Sequence, residues 1–423
     1  MTAEEAIEYL ERPVWGSTRL GLERTHELLA RLGDPQKRLK FVHVAGSNGK
    51  GSTCAMLEEL LRRSGYRTGL YTSPYILSFC ERMRVNGQDI PGEALAAVTE
   101  AVKAAADAME DHPSQFEMVT AAALEHFARS RCDIVVLEVG MGGATDSTNA
   151  IDAPEAAVIT NIGLEHTEYL GDTLEQIAAV KGGIIKTGCH AVCYDGAPEV
   201  KDTVAALCRE RQVPLTQVDF SALEPLTQSL EGQTFRWKGR EFFLKLTGPH
   251  QLRNAAVVLE TVDCLRARGW HIPEKAVREG LANVFWPARM ELLGREPLML
   301  VDGGHNPQCA QMLRASLEQL LPGRRVVFLT GVLADKDYPA IMETLMPLAQ
   351  EFVCLTPLND RALPAEALAA HLRERGARAV ARESIESGIK AVLNAAGPEG
   401  AVVCFGSLYL AGAVRKAYLR LLG

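Results

Sequence analysis

The sequence contains no apolar run of the roughly 18 residues needed to span a bilayer. Its start, Met1-Thr2-Ala3-Glu4-Glu5, lacks the basic and apolar regions of a secretory signal. A cytoplasmic protein with no membrane partner is expected. Excess positive charge is absent too: 45 Lys and Arg face 53 Asp and Glu, a net charge of −8, which argues against a nucleic-acid partner held on a broad basic face. The ten cysteines include no C-x-x-C pair and lie mostly within apolar runs, as at Cys54, Cys132, Cys354 and Cys404. Cys189-His190 with Cys193 is the nearest approach to a metal cluster, but it sits on an apparent strand and has no second half. Buried, reduced thiols are expected.

What remains is a globular composition, 47% hydrophobic and 23% charged, over 423 residues. That length exceeds one ordinary core and predicts two or three domains. The most informative stretch is Gly46-Ser47-Asn48-Gly49-Lys50-Gly51-Ser52, between the apolar run Phe41 to Ala45 and a helix-like run from Ser52 to Arg63. A buried strand, a glycine turn and a helix N-terminus make a cradle of backbone N–H groups suited to polyphosphate. Lys50 would bring positive charge to the terminal phosphates, and Ser52 could offer a hydroxyl to Mg²⁺. The common P-loop pattern is not met, because Gly51 and Val44 stand where it places Ser or Thr and its first Gly.

Residues 4 to 32 read as helical around an interruption at Pro13 to Gly21. Strand and helix then alternate: strands at Phe41 to Ala45, Thr68 to Thr72, Cys132 to Leu137, Ala156 to Thr160 and Ala191 to Tyr194, with helices between them. Such alternation predicts a mostly parallel sheet covered on both faces. Ser73 to Pro91 breaks the rhythm and reads as a substrate-facing loop. Thr234 to Leu246 reads as a β-hairpin around Lys238-Gly239, and Gly248-Pro249-His250 caps a helix to about Arg268. Beyond Gly294 to Pro297 the rhythm restarts, with strands at Leu298 to Val301, Val326 to Leu329, Phe352 to Leu355 and Val402 to Phe405. The predicted fold class is α/β: a P-loop-type, mostly parallel sheet domain over residues 1–295, then a smaller Rossmann-like α/β domain over 296–423.

Ligands of open α/β sheets sit beyond the carboxyl ends of the strands. Ser52, Ser73, Glu138 and His166 occupy such positions, and oxygen donors with phosphate and water suit Mg²⁺. Glu138 is the strongest candidate for bridging metals, ahead of a carboxylate that merely ends a strand, whereas for His166 alone a hydrogen-bonded loop histidine is the favoured reading. Lys181 lies on a helix with apolar neighbours and by default snorkels to water; carbamylation of its amine is the second reading. Asp302-Gly303-Gly304-His305-Asn306-Pro307 forms a strand-to-helix turn that places Asp302 and His305 at a cleft edge, with an Asx turn available to Asp302. Asp335-Lys336-Asp337 is either a solvated face or a further part of that edge.

These residues resemble the phosphate loop of the Mur-type ATP-dependent amide ligases, where the Ser or Thr falls one place later. Within that superfamily the chain closely resembles folylpolyglutamate synthase/dihydrofolate synthase, from about Leu20-Gly21-Leu22 to Gly406-Ser407-Leu408-Tyr409-Leu410. Thr72-Ser73-Pro74, Phe116-Glu117, Leu137 to Gly143, Asp146 to Asn149, His166, Lys181 to Lys186, Gly248 to His250, Asn254, Trp286 to Arg289, Asp302 to Pro307 and Asp335 to Asp337 carry it. The resemblance implies that Asn48, Gly49, Lys50, Gly51 and Ser52 hold ATP, and that Ser52, Ser73, Glu138 and His166 organise two Mg²⁺ ions. Lys181 would be carbamylated, and K⁺ is a possible further ion. Asn254, Arg289 and Asp302 would contact nucleotide from the two domains, and Lys50, Glu138, His166, Lys181 and His305 would carry catalysis. The partners implied are L-glutamate and a folate or pteroate, with the enzyme a monomer.

Three positions depart from the family pattern: Tyr75 where His is frequent, Ala144 where Arg is frequent, and Val180 where an acidic residue commonly precedes the lysine. Two rival functions share parts of this inventory. A muramyl-peptide ligase usually carries a separate N-terminal domain, for which about 40 residues before the loop are too few. A nucleotide-dependent switch would release phosphate without any amide product.

Overall fold

A computed structural model of the chain describes residues 1–12 and 21–422. Of the expected interruption at Pro13 to Gly21, all but Gly21 lies outside the described residues, as does Leu20. The chain divides into two compact units. One comprises Met1–Glu224, Arg236–Phe242 and Arg253–Val284; the other comprises Pro225–Phe235, Phe243–Leu252 and Phe285–Gly423.

The first unit is built on a sheet of β1 (Phe41–Ala45), β2 (Thr68–Tyr71), β3 (Met83–Val85), β4 (Gln88–Asp89), β5 (Ile134–Glu138), β6 (Ala156–Ile159), β7 (His190–Cys193) and β8 (Leu215–Gln217). Their spatial order is β4-β3-β2-β5-β1-β6-β7-β8. From β2 to β8 every pairing is parallel, and β3 and β4 add an antiparallel edge. All five residues of β1 are buried although successive side chains alternate faces, so both faces of the sheet are covered.

Helix starts are set by local chemistry. Thr2 with Glu5, Ser114 with Glu117, and Thr173 with Gln176 form reciprocal capping boxes at Ala3–Leu10, Gln115–Arg129 and Leu174–Lys181. Gln115–Arg129 is one helix, so Phe116-Glu117 opens it. Ser73 to Pro91 is not the loop its composition suggests. Ser78 caps a short 3₁₀ turn at Phe79–Arg82, β3 and β4 follow, and Ile76, Phe79, Met83 and Ile90 are buried. Glu81 and Arg82 are buried with them, the Glu81 carboxylate accepting from the Ile76, Leu77 and Ser78 N–H groups, so charges that read as surface are spent on holding the segment together.

β9 (Leu223–Ser229), β10 (Gly232–Trp237) and β11 (Arg240–Leu244) form a small sheet in the order β11-β10-β9. The hairpin over Thr234 to Leu246 is present, and β9 joins it unforeseen. In the second unit β12 (Glu291–Arg295), β13 (Leu298–Val301), β14 (Val326–Thr330), β15 (Ala349–Cys354), β16 (Ala379–Ala381) and β17 (Ala401–Phe405) are ordered β12-β13-β17-β14-β15-β16. The expected division at 295/296 differs from this grouping, in which the second unit resumes at Phe285. β12 pairs antiparallel with β13 and so belongs to the sheet that follows it. Phe328, Phe352, Phe405, Leu313 and Leu368 fill the core of that unit.

All ten cysteines are free; eight are buried, and Cys80 and Cys309 are half-buried. Burial pushes the Cys132, Cys193 and Cys354 thiols up to about 12, so they resist thiolate formation. Titration of the native protein with an aromatic disulfide should consume at most the two half-buried thiols quickly and all ten after denaturation. Fast reaction of more than two would contradict the packing described.

Candidate functional site

β1 runs into Gly46, and the helix Lys50–Arg63 begins four residues later. Gly49 is its N-cap with φ +87°, a left-handed conformation that favours glycine. A Cβ there would stand 2.6 Å from Asn254 Oδ1, so the loop and the helix Pro249–Ala267 also need glycine for their close approach. Thr53 N–H makes the first helical bond, to Gly49 O at 2.9 Å. Lys50, Gly51 and Ser52 thus form the first turn, whose N–H groups have no partner within the helix and carry the positive end of its dipole.

The segment after β6 clamps the other side of the loop. Asn161 O accepts from Ser47 N–H at 2.7 Å and Asn48 N–H at 3.2 Å. Ser47 Oγ donates to Gly163 O and accepts from Gly163 N–H, while Thr160 Oγ1 donates to Asn48 O at 2.9 Å. A Cβ on Gly46 would lie 1.9 Å from Thr160 Oγ1. Thr160, Asn161 and Gly163 are therefore structural partners of the loop that sequence reasoning passed over. Their only signal was the polar run after an apolar strand. Lys50 Nζ donates to Gly46 O at 2.8 Å and Ser47 O at 3.3 Å, folded over its own loop.

Glu138 ends β5 beside β1, opposite Val44, and its carboxylate accepts from Ser73 N–H at 3.1 Å. Two of the four expected metal-binding residues are thereby joined directly. Ser52 is buried within the first turn of its helix. His166 is exposed in a left-handed conformation at the start of Thr167–Leu170, and its charge acts on Glu165. The hydroxyls of Ser52 and Ser73 with the Glu138 carboxylate are hard oxygen donors, a chemistry that fits Mg²⁺ completed by phosphate and water. Among the described residues there is no group of three or more His, Cys, Asp or Glu able to hold a metal, including Cys189-His190-Cys193.

Lys181 does not snorkel to water. Its side chain is 2% exposed, and Nζ donates to Glu165 Oε1 at 2.8 Å and Gly46 O at 3.0 Å. The amine lies at the end of the helix Leu174–Lys181, where no solvent route is left for it to follow. Burial draws its pKa down and Glu165 opposes that shift. Burial alone would raise the Glu165 carboxyl, but Lys50 and Lys181 hold it down to about 2. Glu165 was missed in the sequence because its partner is far along the chain on another element.

In the second unit, taken by itself, Asp302 follows β13. Its carboxylate accepts from Met290 N–H at 2.9 Å and Gly304 N–H at 2.8 Å, the latter an Asx turn. Arg289 donates to Ala288 O, and a Cβ on Gly303 would lie 2.9 Å from its Nη1. His305 Nδ1 is 3.1 Å from Gly303 O. A carbonyl only accepts, so Nδ1 carries the proton and Nε2 is the nitrogen with acceptor character in the neutral ring. Asn306 caps the helix Pro307–Leu320 through Cys309 N–H. Asp335 pairs with Arg361, and Asp337 caps Tyr338–Leu345, which accounts for both acids of that triplet as surface and cap groups.

Of the three departures, Tyr75 donates from its hydroxyl to Glu11 Oε1 at 3.1 Å. A Cβ on Gly183 would lie 2.4 Å from that of Ala144, and Val180 O accepts from Ala144 N–H. Small residues fit the close contact at 144.

Two outcomes test this geometry. Gly49→Ala should weaken ADP binding, measured by calorimetry, by about 10-fold or more, since it meets both backbone strain and Asn254. Glu165→Gln should destabilise the protein at neutral pH by about 3 kcal/mol, because it leaves a buried amine uncompensated. The Glu165 carboxyl titrates below its ordinary 4.5 when folded, so its contribution is complete above that pH and is lost as pH falls toward 2. Denaturant curves of the variant and wild type should therefore converge at the acid end of that window.

Residues 44–262 match the model of the Mur ligase middle domain, and residues 288–408 that of the Mur ligase, glutamate ligase domain. The chain is 34% identical to the folylpolyglutamate synthase of Lacticaseibacillus casei over 405 residues, covering 93% of each chain. It is 35% identical to the dihydrofolate synthase/folylpolyglutamate synthase of Bacillus subtilis over 341 residues, covering 78% of this chain and 79% of that one. The solved structure of Escherichia coli FolC in complex with DHPP and ADP superposes with a TM-score of 0.89 at 29% identity, covering 100% of this chain and 99% of the other. With its phosphate loop, its Glu138 strand end and its Asp302 turn all inside the matched regions, this chain belongs to the folylpolyglutamate synthase/dihydrofolate synthase family of the Mur ligase superfamily.

Proposed function

We infer that the chain is an ATP-dependent ligase that adds L-glutamate to a folate-type carboxylate, dihydropteroate, a tetrahydrofolate polyglutamate or both, through an acyl phosphate. The observation that carries this is the N–H cradle of Gly46 to Ser52 beside the Ser73–Glu138 pair, within a chain similar to glutamate ligases over nearly its whole length. The substrate carboxylate attacks the γ-phosphate of ATP, ADP leaves, and the amine of glutamate displaces phosphate to form the amide.

Both steps gather negative charge, so positioned donors are the main requirement. The first-turn N–H groups of Lys50, Gly51 and Ser52 take phosphate oxygens. Lys50 exchanges the Gly46 and Ser47 carbonyls for phosphate. Asn254 stays against Gly49 and keeps the turn in shape. Ser52, Ser73, Glu138 and His166 would hold two Mg²⁺ ions, which when bound neutralise charge on the transferring phosphoryl group. Arg289 and Asp302 serve nucleotide contact, Asp302 also fixing the Gly303–Gly304 turn that presents His305. His305 orients the incoming amine or takes its proton at Nε2.

Incubation with ATP, Mg²⁺, glutamate and either dihydropteroate or tetrahydrofolate should yield ADP and the glutamyl amide of at least one acceptor, read by mass spectrometry. Phosphate release without amide would instead support a nucleotide switch, and turnover only with a muramyl-peptide acceptor would support the other ligase class. His305→Ala should lower glutamate-dependent turnover by about 100-fold. Glu138→Ala should lower it at least as much with the fold retained and the Mg²⁺ dependence altered. Unchanged values in either variant would remove the role given to that residue.

A further inference from the structure

His43 is the middle residue of the central strand β1, fully buried beside Leu137 of β5 and Ala157 of β6. A polar ring at the centre of a parallel sheet is costly unless its hydrogen bonds are used. Burial, with a smaller contribution from Lys186, pushes its pKa down to about 3, so the ring is neutral under working conditions. Nε2 lies 2.9 Å from Thr148 Oγ1, and Thr148 Oγ1 lies 2.5 Å from Asp146 Oδ1. A carboxylate accepts only, so the Thr148 hydroxyl proton points at Asp146 and His43 must supply N–H from Nε2. His43 Nδ1 is then a bare acceptor, buried with no hydrogen-bond partner.

The line of protons ends where the glycine-rich loop after Glu138 is held. Asp146 Oδ1 also accepts from Thr148 N–H at 3.0 Å, and Oδ2 accepts from Met141 N–H at 2.8 Å. That loop has little slack. A Cβ on Gly140 would lie 2.3 Å from the Phe116 ring, and one on Gly143 2.7 Å from Lys181 O. β1 leads into the phosphate loop and β5 into Glu138, and these strands are neighbours. The chain His43, Thr148, Asp146, Met141 is thus a strap from the strand beneath the phosphate loop to the loop beside Glu138.

We propose that His43 and Thr148 are positioning residues for the ligase reaction, acting through Asp146 to fix the Glu138–Asp146 loop relative to the phosphate loop. The claim rests on the glutamate-ligase reading above. Neither residue touches the reacting atoms, so loss of the strap alters transition-state placement more than nucleotide binding.

His43→Leu separates positioning from mere structure. It removes an unpartnered buried nitrogen but also the donor to Thr148 Oγ1, two opposing effects, so the thermal midpoint should change little. At the same time kcat/KM for the folate-type acceptor should fall by about 10-fold or more, the range for lost supporting hydrogen bonds. Thr148→Val should show the same loss with ADP affinity within about 2-fold of wild type, and Thr148→Ser should restore most of it. Acceptor kcat/KM within about 2-fold of wild type in His43→Leu and Thr148→Val would overturn the proposal. So would equal impairment of Thr148→Ser and Thr148→Val, or failure of both His43→Leu and Thr148→Val to fold. A wild-type chain that forms no amide would count against the ligase reading instead.

Discussion

The first unit is organised around one turn of backbone whose N–H groups have no acceptor within their own helix. The first turn at Lys50, Gly51 and Ser52 has no intrahelical acceptors, an arrangement that is unfavourable when enclosed unless an anion arrives. Thr160, Asn161 and Gly163 hold the preceding residues by five hydrogen bonds through Ser47 and Asn48 backbone or side-chain atoms, which keeps the loop from relaxing. Lys181, fixed by Glu165, adds a donor at Gly46 O. The cradle is therefore stiff before any nucleotide binds, and little of the binding free energy is lost in ordering it.

The second unit uses the same device on a smaller scale. Asp302 ties Met290 and Gly304 with its two oxygens, and the Asn306 cap and Pro307 start the next helix at once. His305 is then presented on a turn with its Nδ1 proton already committed to Gly303 O. In both units a side chain just past a strand end, Thr160 in the first and Asp302 in the second, orders the neighbouring backbone. The family's reaction, which depends on alignment of three reactants more than on a strongly activated side chain, suits such an arrangement.

Much of this was legible in the sequence because it depends on neighbours along the chain. β1, the helix starts at Thr173 and Pro307, and the helix after Gly248 follow from caps, apolar runs and punctuation. Features made by distant residues were not legible. The Glu165–Lys181 pair joins a loop residue to a helix end, so Lys181 read as a surface amine although it is buried. β3 and β4 read as a loop because they are three and two residues long and carry charged outer positions. β12 reads as a tail of one domain, yet it is defined by its pairing with β13. Asn254 is marked in the sequence only by family likeness, and the fold places it against Gly49; His166 is marked also by its position beyond a strand end.

The central claim is that Lys50, Gly51 and Ser52 hold polyphosphate through backbone N–H groups in a pre-formed turn. Amide hydrogen exchange of the full chain, with and without ADP and Mg²⁺, reads those groups directly. Exchange across residues 46–52 should slow by about 10-fold or more on nucleotide addition, with the Thr160 to Gly163 segment already protected beforehand. Nucleotide binding that left exchange across 46–52 unchanged would contradict the account.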